Sequence, residues 1–373
     1  MEPELNFLTR LFGSNARGER GVSLNLRLLR RGGLPFLLLP RETQEALTTL
    51  ELYAPQTTRA RAARTLARWA IQLSAPRPGE TVGLEISTDA PFAQFLSSLA
   101  GLPTPLLPGI GILAGNPGSP GQRFLVICFN TGHEPVAVIK VAMTSRGHEL
   151  IQAEQSFLSS VAGKFKCIPP IIKTFRSEEL LAFATPFFSG KCPSKKDEAK
   201  LPLLLNSWVD TERTLPPSEI PGWLKLEQVC GAHPWFQVVA QRIRSRLVHP
   251  CLQHGDLTPW NIKVSRQGIW TVLDWERGDS IGIPGWDWFH YVLQSGILVQ
   301  RQPTSKLVNR AETLLASPGF REYAGRCGIP EVTRELLLGY LFHMVEVIQP
   351  SEGIRESREL LSALAARWQM DRS

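Results

Sequence analysis

Two short segments on either side of one predicted hairpin constrain this chain more than any other feature. The first reads HGDLTPWNIKV at 254–264 and contains Asp256 and Asn261; the second reads TVLDWE at 271–276 and contains Asp274. The connecting VSRQGIW has the pattern of a short hairpin. The two segments therefore predict that two carboxylates and one amide, side chains of the type that bind metal ions, flank one hairpin.

These three side chains match the needs of phosphoryl transfer from ATP. That reaction requires a carboxylate beside the nucleophile, oxygen ligands for Mg²⁺ and a cation on the phosphates. Asp256 would accept or orient the proton of an acceptor hydroxyl. Asn261, five residues later, would reach Mg²⁺ with its amide oxygen, and Asp274 would link the metal to the β- and γ-phosphates. The expected cofactors are ATP and Mg²⁺.

HGDLTPWN followed by LDWE resembles the aminoglycoside phosphotransferase and choline-kinase branch of the protein-kinase-like superfamily. That branch reads HGD where protein kinases read HRD, and the D-x4-N spacing and the 13-residue step from Asn261 to Asp274 match the kinase pattern. The resemblance implies an α+β, bilobal protein-kinase-like fold. One lobe would be a small antiparallel β lobe with one helix, and the other would be larger and mainly helical.

The resemblance also implies a lysine on a strand and a glutamate on the helix that follows it. VAVIKVA supplies Lys140, with the β-branched neighbours of a strand. The helical pattern HELIQAEQSFLSSV at 148–161 offers Glu154 and Glu149 as the partner that would hold Lys140 over the phosphates. Glu154 is preferred because it lies nearer the middle of the helix.

The loop that would cover the phosphates is less well defined. GILAGNPGSPGQRF at 111–124 supplies Gly115, Gly118 and Gly121 between two strands, but it departs from GxGxxG and contains two prolines. A phosphate cradle, with Gly118 and Gly121 as its contacts, and an ordinary hairpin turn both remain open.

Further residues are expected to support the nucleotide and the catalytic loop. The adenine would lie against Thr185, Pro186 and Phe187, whose backbone groups could recognise its edge. His254 is interpreted as a structural histidine that fixes the loop around Asp256. Asp287, in PGWDWFHY, stands where the family keeps an aspartate that braces this loop through its backbone.

Half of the chain's ten tryptophans crowd into 29 residues around the proposed site. They are Trp260, Trp270, Trp275, Trp286 and Trp288. Core packing is the favoured explanation for the group. A sharper hypothesis concerns Trp260, which adjoins Asn261 and could form an apolar wall for a sugar ring.

The pattern of strands and helices suggests three regions. Residues 1–104 form an extra N-terminal α/β module of unknown role that lies outside the resemblance. Residues 105–187 form the β lobe, with one helix at about 147–162 and strand patterns at 122–130, 135–143, 169–175 and 180–187. Residues 188–373 form the helical lobe that contains the catalytic loop.

Charge and cysteine usage narrow the partners. The net charge is +7, and the basic residues are spread along the whole chain, so no specific nucleic-acid partner is expected. A polycationic aminoglycoside is disfavoured as acceptor for the same electrostatic reason. The six cysteines form no CxxC pair, and we find neither an export signal nor an apolar run long enough for a membrane. A cytoplasmic location is expected, and the oligomeric state stays open.

The leading hypothesis is an ATP-dependent kinase for a small-molecule hydroxyl on a sugar, polyol or amino alcohol. The alternative is a nucleotide-binding pseudokinase or scaffold whose N-terminal module docks a partner; the presence of all four key residues, Lys140 included, counts against it. A kinase for Ser/Thr in proteins is a third hypothesis, weakened because no APE-like segment follows Asp274.

Overall fold

The computed structural model of the chain describes residues 5–13, 21–73, 79–103, 106–115, 121–348 and 354–369. The chain divides into two compact units, Met1–Gly190 and Lys191–Ser373. The first unit is built on an antiparallel sheet and the second is mainly helical. The predicted α+β, bilobal fold class is confirmed.

The first unit contains eight strands and five helices among the described residues. In chain order they are α1 (Asn6–Phe12), β1 (Gly21–Arg31), β2 (Leu34–Leu39), α2 (Thr43–Thr49), α3 (Thr58–Gln72), β3 (Glu80–Ser87), α4 (Pro91–Leu99), β4 (Gly109–Ala114), β5 (Arg123–Phe129), β6 (Pro135–Ala142), α5 (Ser145–Ser160), β7 (Lys173–Arg176) and β8 (Leu181–Pro186).

All eight strands belong to one sheet, in the order β3-β1-β2-β4-β5-β6-β8-β7, and neighbouring strands pair antiparallel. The alternation of side chains along a strand lets the sheet bury apolar residues on both faces. On β2, Leu38 joins the larger core cluster, whereas Leu37 and Leu39 join a smaller one with residues of α2 and α3. The sheet is therefore covered on both sides.

The strands of the first hundred residues are continuous with this sheet. Leu37 and Leu38 of β2 pair with Leu113 and Ile112 of β4. The compact unit accordingly runs from the N-terminus to Gly190. The division of the chain at 104, and the treatment of residues 1–104 as a module with its own role, stay predictions.

The second unit contains eight helices and four short strands among the described residues. They are α6 (Leu201–Asn206), α7 (Pro221–Cys230), α8 (Pro234–Ile243), β9 (Cys251–Gln253), β10 (Ile262–Val264), β11 (Trp270–Val272), β12 (Asp279–Gly282), α9 (Trp286–Gln294), α10 (Thr304–Ala316), α11 (Pro318–Cys327), α12 (Thr333–Phe342) and α13 (Ile354–Arg367).

Proline sets the start of several of these helices. α7, α8 and α11 each begin at a proline, which has the backbone φ of a first helical turn and lacks the N–H that would go unpaired there. Two helices end in a π-helical turn, α9 at Ser295–Val299 and α12 at His343–Val347. No helix in the described ranges has both the length and the apolar character of a membrane span.

The four short strands of the second unit form two antiparallel pairs, β10 with β11 and β9 with β12. In the first pair, Ile262 lies opposite Val272 and Val264 opposite Trp270. This is the hairpin that the sequence predicted between the two motif segments. It fixes the positions of the residues immediately before β10 and immediately after β11.

Candidate active site

In the first unit, Lys140 and Glu154 form a close ion pair. Lys140 lies on β6, opposite Leu125 of β5 and Phe183 of β8. Its Nζ donates to both carboxylate oxygens of Glu154, at 2.7 Å to Oε1 and 2.6 Å to Oε2. Glu154 lies on α5 with 3% of its side chain exposed, against 17% for Lys140. A regular strand and a regular helix thus hold the ammonium group in one place.

The other glutamate of α5 lies elsewhere. Glu149 pairs with Arg146 at 2.6 Å, and more than half of each of these two side chains is exposed. α5 begins after Thr144, whose side chain accepts a hydrogen bond from the N–H of Gly147. The phase set by this start turns Glu154 toward the sheet and Glu149 away from it. The structure therefore brings Glu154, the preferred candidate, to Lys140.

In the second unit, His254 connects the loop before Asp256 to the strand end before Asp274. Its ring Nε2 lies 2.8 Å from the carbonyl oxygen of Leu273, to which it donates, and its Nδ1 accepts from the backbone N–H of Asp256 at 3.1 Å. The imidazole is fully buried and packs against Trp275, with ring centroids 4.6 Å apart. Both ring nitrogens are engaged in holding backbone, as expected of a structural histidine.

Asp287, at the start of α9, braces the same loop from below. Its buried carboxylate accepts from the backbone N–H of His254 at 2.6 Å and of Gly255 at 2.9 Å. Burial raises the pKa of Asp287, against the lowering effect of the nearby His254 and of these two N–H groups. Gly255 has φ of +76°, and a Cβ there would lie 2.7 Å from the carbonyl oxygen of Arg277, so only glycine fits.

Asp256 and Asn261 are in direct contact. The Nδ2 of Asn261 donates to the backbone oxygen of Asp256 at 2.9 Å and to its carboxylate Oδ2 at 3.2 Å. This orients the amide so that its Nδ2 faces Asp256 and its Oδ1 faces away. An amide oxygen is the atom that a magnesium ion would use.

The hairpin brings Asp274 next to this pair. The backbone N–H of Leu273 donates to the oxygen of Asn261 at 2.8 Å, so Asp274 is the residue that follows the one bonded to Asn261. Asp274 is half-buried and has φ of +71°, a left-handed conformation that aspartate tolerates better than most residues. The loop and the hairpin thus gather Asp256, Asn261 and Asp274 within the second unit.

A magnesium ion fits this donor set without further protein ligands. Among the described residues, no group of three or more His, Cys, Asp or Glu side chains forms a complete metal site. Mg²⁺ in nucleotide sites is held by one or two carboxylates together with phosphate oxygens and water. Asp274 and the Oδ1 of Asn261 would supply the protein's share, and the ion would neutralise charge on the phosphates.

One residue of the site escaped the sequence analysis. The Nε2 of His290, on α9, lies 2.9 Å from the Oδ1 of Asp256, and only 4% of its side chain is exposed. Burial by itself raises the pKa of Asp256, but the hydrogen bond and charge of His290, aided by Arg277 and His254, outweigh it and lower that pKa. The available signal was spacing, because His290 follows Asp287 by one helical turn.

The residues expected around the nucleotide are partly described. Gly118 lies outside the described residues. Gly121 lies just before β5, where a Cβ would come within 2.8 Å of the Leu150 side chain. Thr185 lies near the end of β8, opposite Val138, and Phe187 follows β8; both are half-buried. Their contacts with phosphates and adenine stay predictions.

The tryptophans of the cluster divide into two kinds. Trp270, Trp275, Trp286 and Trp288 are buried, with exposures of 7%, 0%, 2% and 5%, which is the expected core packing. Trp260 lies in the single turn Pro259–Asn261 that precedes β10 and is half-buried. Its proposed role as a substrate wall stays a prediction.

Comparisons with known proteins give structural likenesses and no sequence match. No family model and no curated protein matches the chain. Among solved structures, a fructosamine-3-kinase from Haemophilus somnus 129PT is 11% identical, with a TM-score of 0.44, over 73% of this chain and 96% of that one. The aminoglycoside phosphotransferase APH(2″)-IIa, solved with streptomycin and ATP, is 12% identical, with a TM-score of 0.43, over 74% and 96%.

A third structure is the aminoglycoside phosphotransferase APH(3″)-Id from Streptomyces rimosus, which is 14% identical, with a TM-score of 0.36, over 57% of this chain and 87% of that one. The structural neighbours are thus small-molecule kinases of the kind that the motifs resemble. The TM-scores are all below 0.5, so the functional inference depends on the chain's own residues.

Proposed function

We propose that this chain transfers the γ-phosphoryl group of ATP to a hydroxyl group of a small molecule, with Mg²⁺ as the metal cofactor. The observation that carries the proposal is the cluster in the second unit. Asn261 is bonded to the carboxylate of Asp256, and the hairpin register puts Asp274 beside Asn261. A carboxylate, an amide oxygen and a second carboxylate in this order meet the needs of phosphoryl transfer.

Asp256 is the group that would meet the acceptor. About a third of its side chain is exposed, and its lowered pKa keeps it ionised near neutral pH. In a loose phosphoryl-transfer transition state, little proton transfer is needed early, so an ionised carboxylate acts mainly by orienting the hydroxyl and then accepts its proton. The carboxylate is held toward solvent by donors that leave its outer edge accessible.

The remaining roles follow from charge. Asn261 and Asp274 would hold Mg²⁺ on the β- and γ-phosphates, where it offsets the charge that builds up as the bond to the γ-phosphorus breaks. Lys140, fixed by Glu154, would bind the nucleotide phosphates. Thr185 and Phe187 would line the adenine, and Trp260 would contact the acceptor.

The acceptor class is a sugar, polyol or amino alcohol. The net charge of +7 disfavours polycations at long range, so aminoglycosides are expected to be poor substrates. Hydroxyl-rich neutral compounds carry no such penalty and present C–H faces that an aromatic side chain can contact.

The test is an ADP-formation screen with MgATP against sugars, polyols, amino alcohols and aminoglycosides. We expect turnover with at least one acceptor and a loss of about two orders of magnitude or more in Asp256→Ala. Asp210→Ala is the matched control, because Asp210 is another aspartate of the second unit, with 44% of its side chain exposed. It should keep full activity.

The opposing outcomes are distinct. ATP binding without turnover on the whole panel would support a nucleotide-binding scaffold instead. Phosphorylation of generic protein substrates, and not of small molecules, would support a protein kinase. Equal activity of wild type and Asp256→Ala would reject the assignment of Asp256.

A further inference from the structure

The carboxylate of Asp256 is held at both oxygens by side chains of the second unit. Oδ1 lies 2.9 Å from the Nε2 of His290, and Oδ2 accepts from the Nδ2 of Asn261 at 3.2 Å. A carboxylate can only accept hydrogen bonds, so the Nε2 of His290 carries the hydrogen in this contact. The two donors approach different oxygens and thereby restrict rotation of the carboxylate about its last torsion.

His290 is itself held from behind. Its Nδ1 lies 3.1 Å from the hydroxyl of Tyr340 on α12, which donates when the Nε2 carries the ring hydrogen. Gln294, one helical turn after His290 on α9, also hydrogen-bonds this hydroxyl. His290, Tyr340 and Gln294 are all buried, with exposures of 3%, 3% and 4%. A chain of buried hydrogen bonds therefore runs from α12 through the imidazole to the acceptor-side carboxylate.

We propose that His290, held by Tyr340, is a positioning residue that fixes the carboxylate of Asp256 in the orientation needed to receive the acceptor hydroxyl. This inference rests on the proposed function of Asp256. The imidazole touches neither nucleotide nor acceptor in this assignment and acts through Asp256. Orientation is the property at stake, since a displacement of about 1 Å of a reacting group can cost two orders of magnitude in rate.

A purely structural role would require less than the structure provides. An apolar side chain would fill the same buried space between α9 and α12. A buried imidazole is costly unless both ring nitrogens are hydrogen-bonded, and here one bond goes to the catalytic carboxylate. The Asp287 three residues earlier braces the loop backbone, whereas His290 contacts the side chain of Asp256. Successive turns of α9 thus hold the loop and then its functional group.

The experiment compares two replacements of similar size. His290→Met removes both nitrogens, while His290→Gln keeps an N–H that can reach Asp256. Turnover of MgATP to ADP is measured with water as acceptor, and MgATP affinity is measured separately. We expect His290→Met to lower kcat about 10- to 100-fold and to leave the KM for MgATP within about twofold. His290→Gln should recover most of kcat, and Tyr340→Phe should lose about threefold to tenfold.

A double-mutant cycle with Asp256→Asn separates positioning from folding. If His290 acts through Asp256, His290→Met should lower kcat in wild type and have little further effect in the Asp256→Asn background. Equal loss in both backgrounds, equal loss in His290→Met and His290→Gln, or unchanged kcat in His290→Met would each overturn the proposal. An active Asp256→Asn enzyme would instead overturn the proposed function, so the two failures are distinguishable. Thermal unfolding of every variant identifies a loss that comes from misfolding.

Discussion

The two halves of the candidate site are built in different ways. Lys140 and Glu154 lie within a regular strand and a regular helix, and one ion pair holds them together. Asp256 and Asp274 lie in irregular backbone that includes left-handed residues, and buried side chains must hold that backbone in place. The comparison teaches that the first half should depend on its own pair of charges, and the second on residues that never contact a substrate.

The largest expected effect tests that dependence at Asp287. Asp287→Ala removes the acceptor of two buried N–H groups, those of His254 and Gly255, and should lower the free energy of unfolding of the second unit by about 4 kcal/mol. Asp287→Asn keeps one acceptor and should lose about half as much. Urea denaturation followed by tryptophan fluorescence reports on this unit, because nine of the ten tryptophans lie in it.

Asp210→Ala serves as the control for Asp287 as well, because it removes a carboxylate that is 44% exposed. A loss below about 1 kcal/mol in Asp287→Ala would mean that the loop does not depend on this carboxylate, since even one unsatisfied buried N–H costs more. The contrast between the two halves of the site would then disappear.

The next effect probes the first half. Lys140→Met leaves the carboxylate of Glu154 buried without its cation and should destabilise the first unit by about 3 kcal/mol, less than for a fully buried pair because 17% of Lys140 is exposed. The double variant Lys140→Met, Glu154→Leu should regain most of that loss, since an apolar pair can replace a buried ion pair. Hydrogen exchange of β6 and α5 amides measures the change.

Glu149→Gln is the matched control for that experiment, because it alters the other glutamate of α5, which is 63% exposed and pairs with Arg146. Its effect should be below about 0.5 kcal/mol. A similar loss in Glu149→Gln and Lys140→Met, or a double variant no more stable than Lys140→Met alone, would contradict a pair held by its own charges.

The sequence reveals the local parts of this molecule better than the parts that need distant contacts. The relation between Asn261 and Asp274 could be predicted because one hairpin connects them. Glu154 could be preferred over Glu149 because helix phase is a local property. His290 escaped because its contact with Asp256 depends on how α9 packs against the catalytic loop.

The same reasoning explains the N-terminal strands. Their alternating apolar residues identify β1 and β2 as strands, but the pattern contains no information on which strand is the neighbour. The pairing of Leu38 with Ile112 joins residues 74 positions apart, and it decides that these strands extend one continuous sheet. Tertiary pairing of this kind is set by the fit of whole faces, which a single sequence does not display.

The smallest effect sharpens the comparison through pH. His343 opens the π-helical turn after α12 and packs against Trp286, with ring centroids 4.7 Å apart. Burial, with Lys225, Arg277 and His290 adding positive charge nearby, lowers the pKa of His343 to about 3. The unfolded chain binds a proton at this residue below the ordinary pKa of 6.5, whereas the folded chain does not until about 3. Its contribution to stability is therefore complete above the ordinary value and declines as pH falls through this window.

Between about pH 7.5 and about pH 5.5, this residue should cost the second unit about 1 kcal/mol of unfolding free energy. His343→Leu removes the contribution, so the variant should lose about that much less stability than wild type over the same interval. Acidic groups such as Asp287 are present in both proteins and cancel in the difference. His233→Leu, which removes an exposed imidazole, is the control and should follow wild type. If His343→Leu shows the same pH slope as wild type in tryptophan-monitored denaturation, the imidazole takes up its proton without leaving the fold, and the second half of the site is less dependent on buried polar groups than the structure indicates.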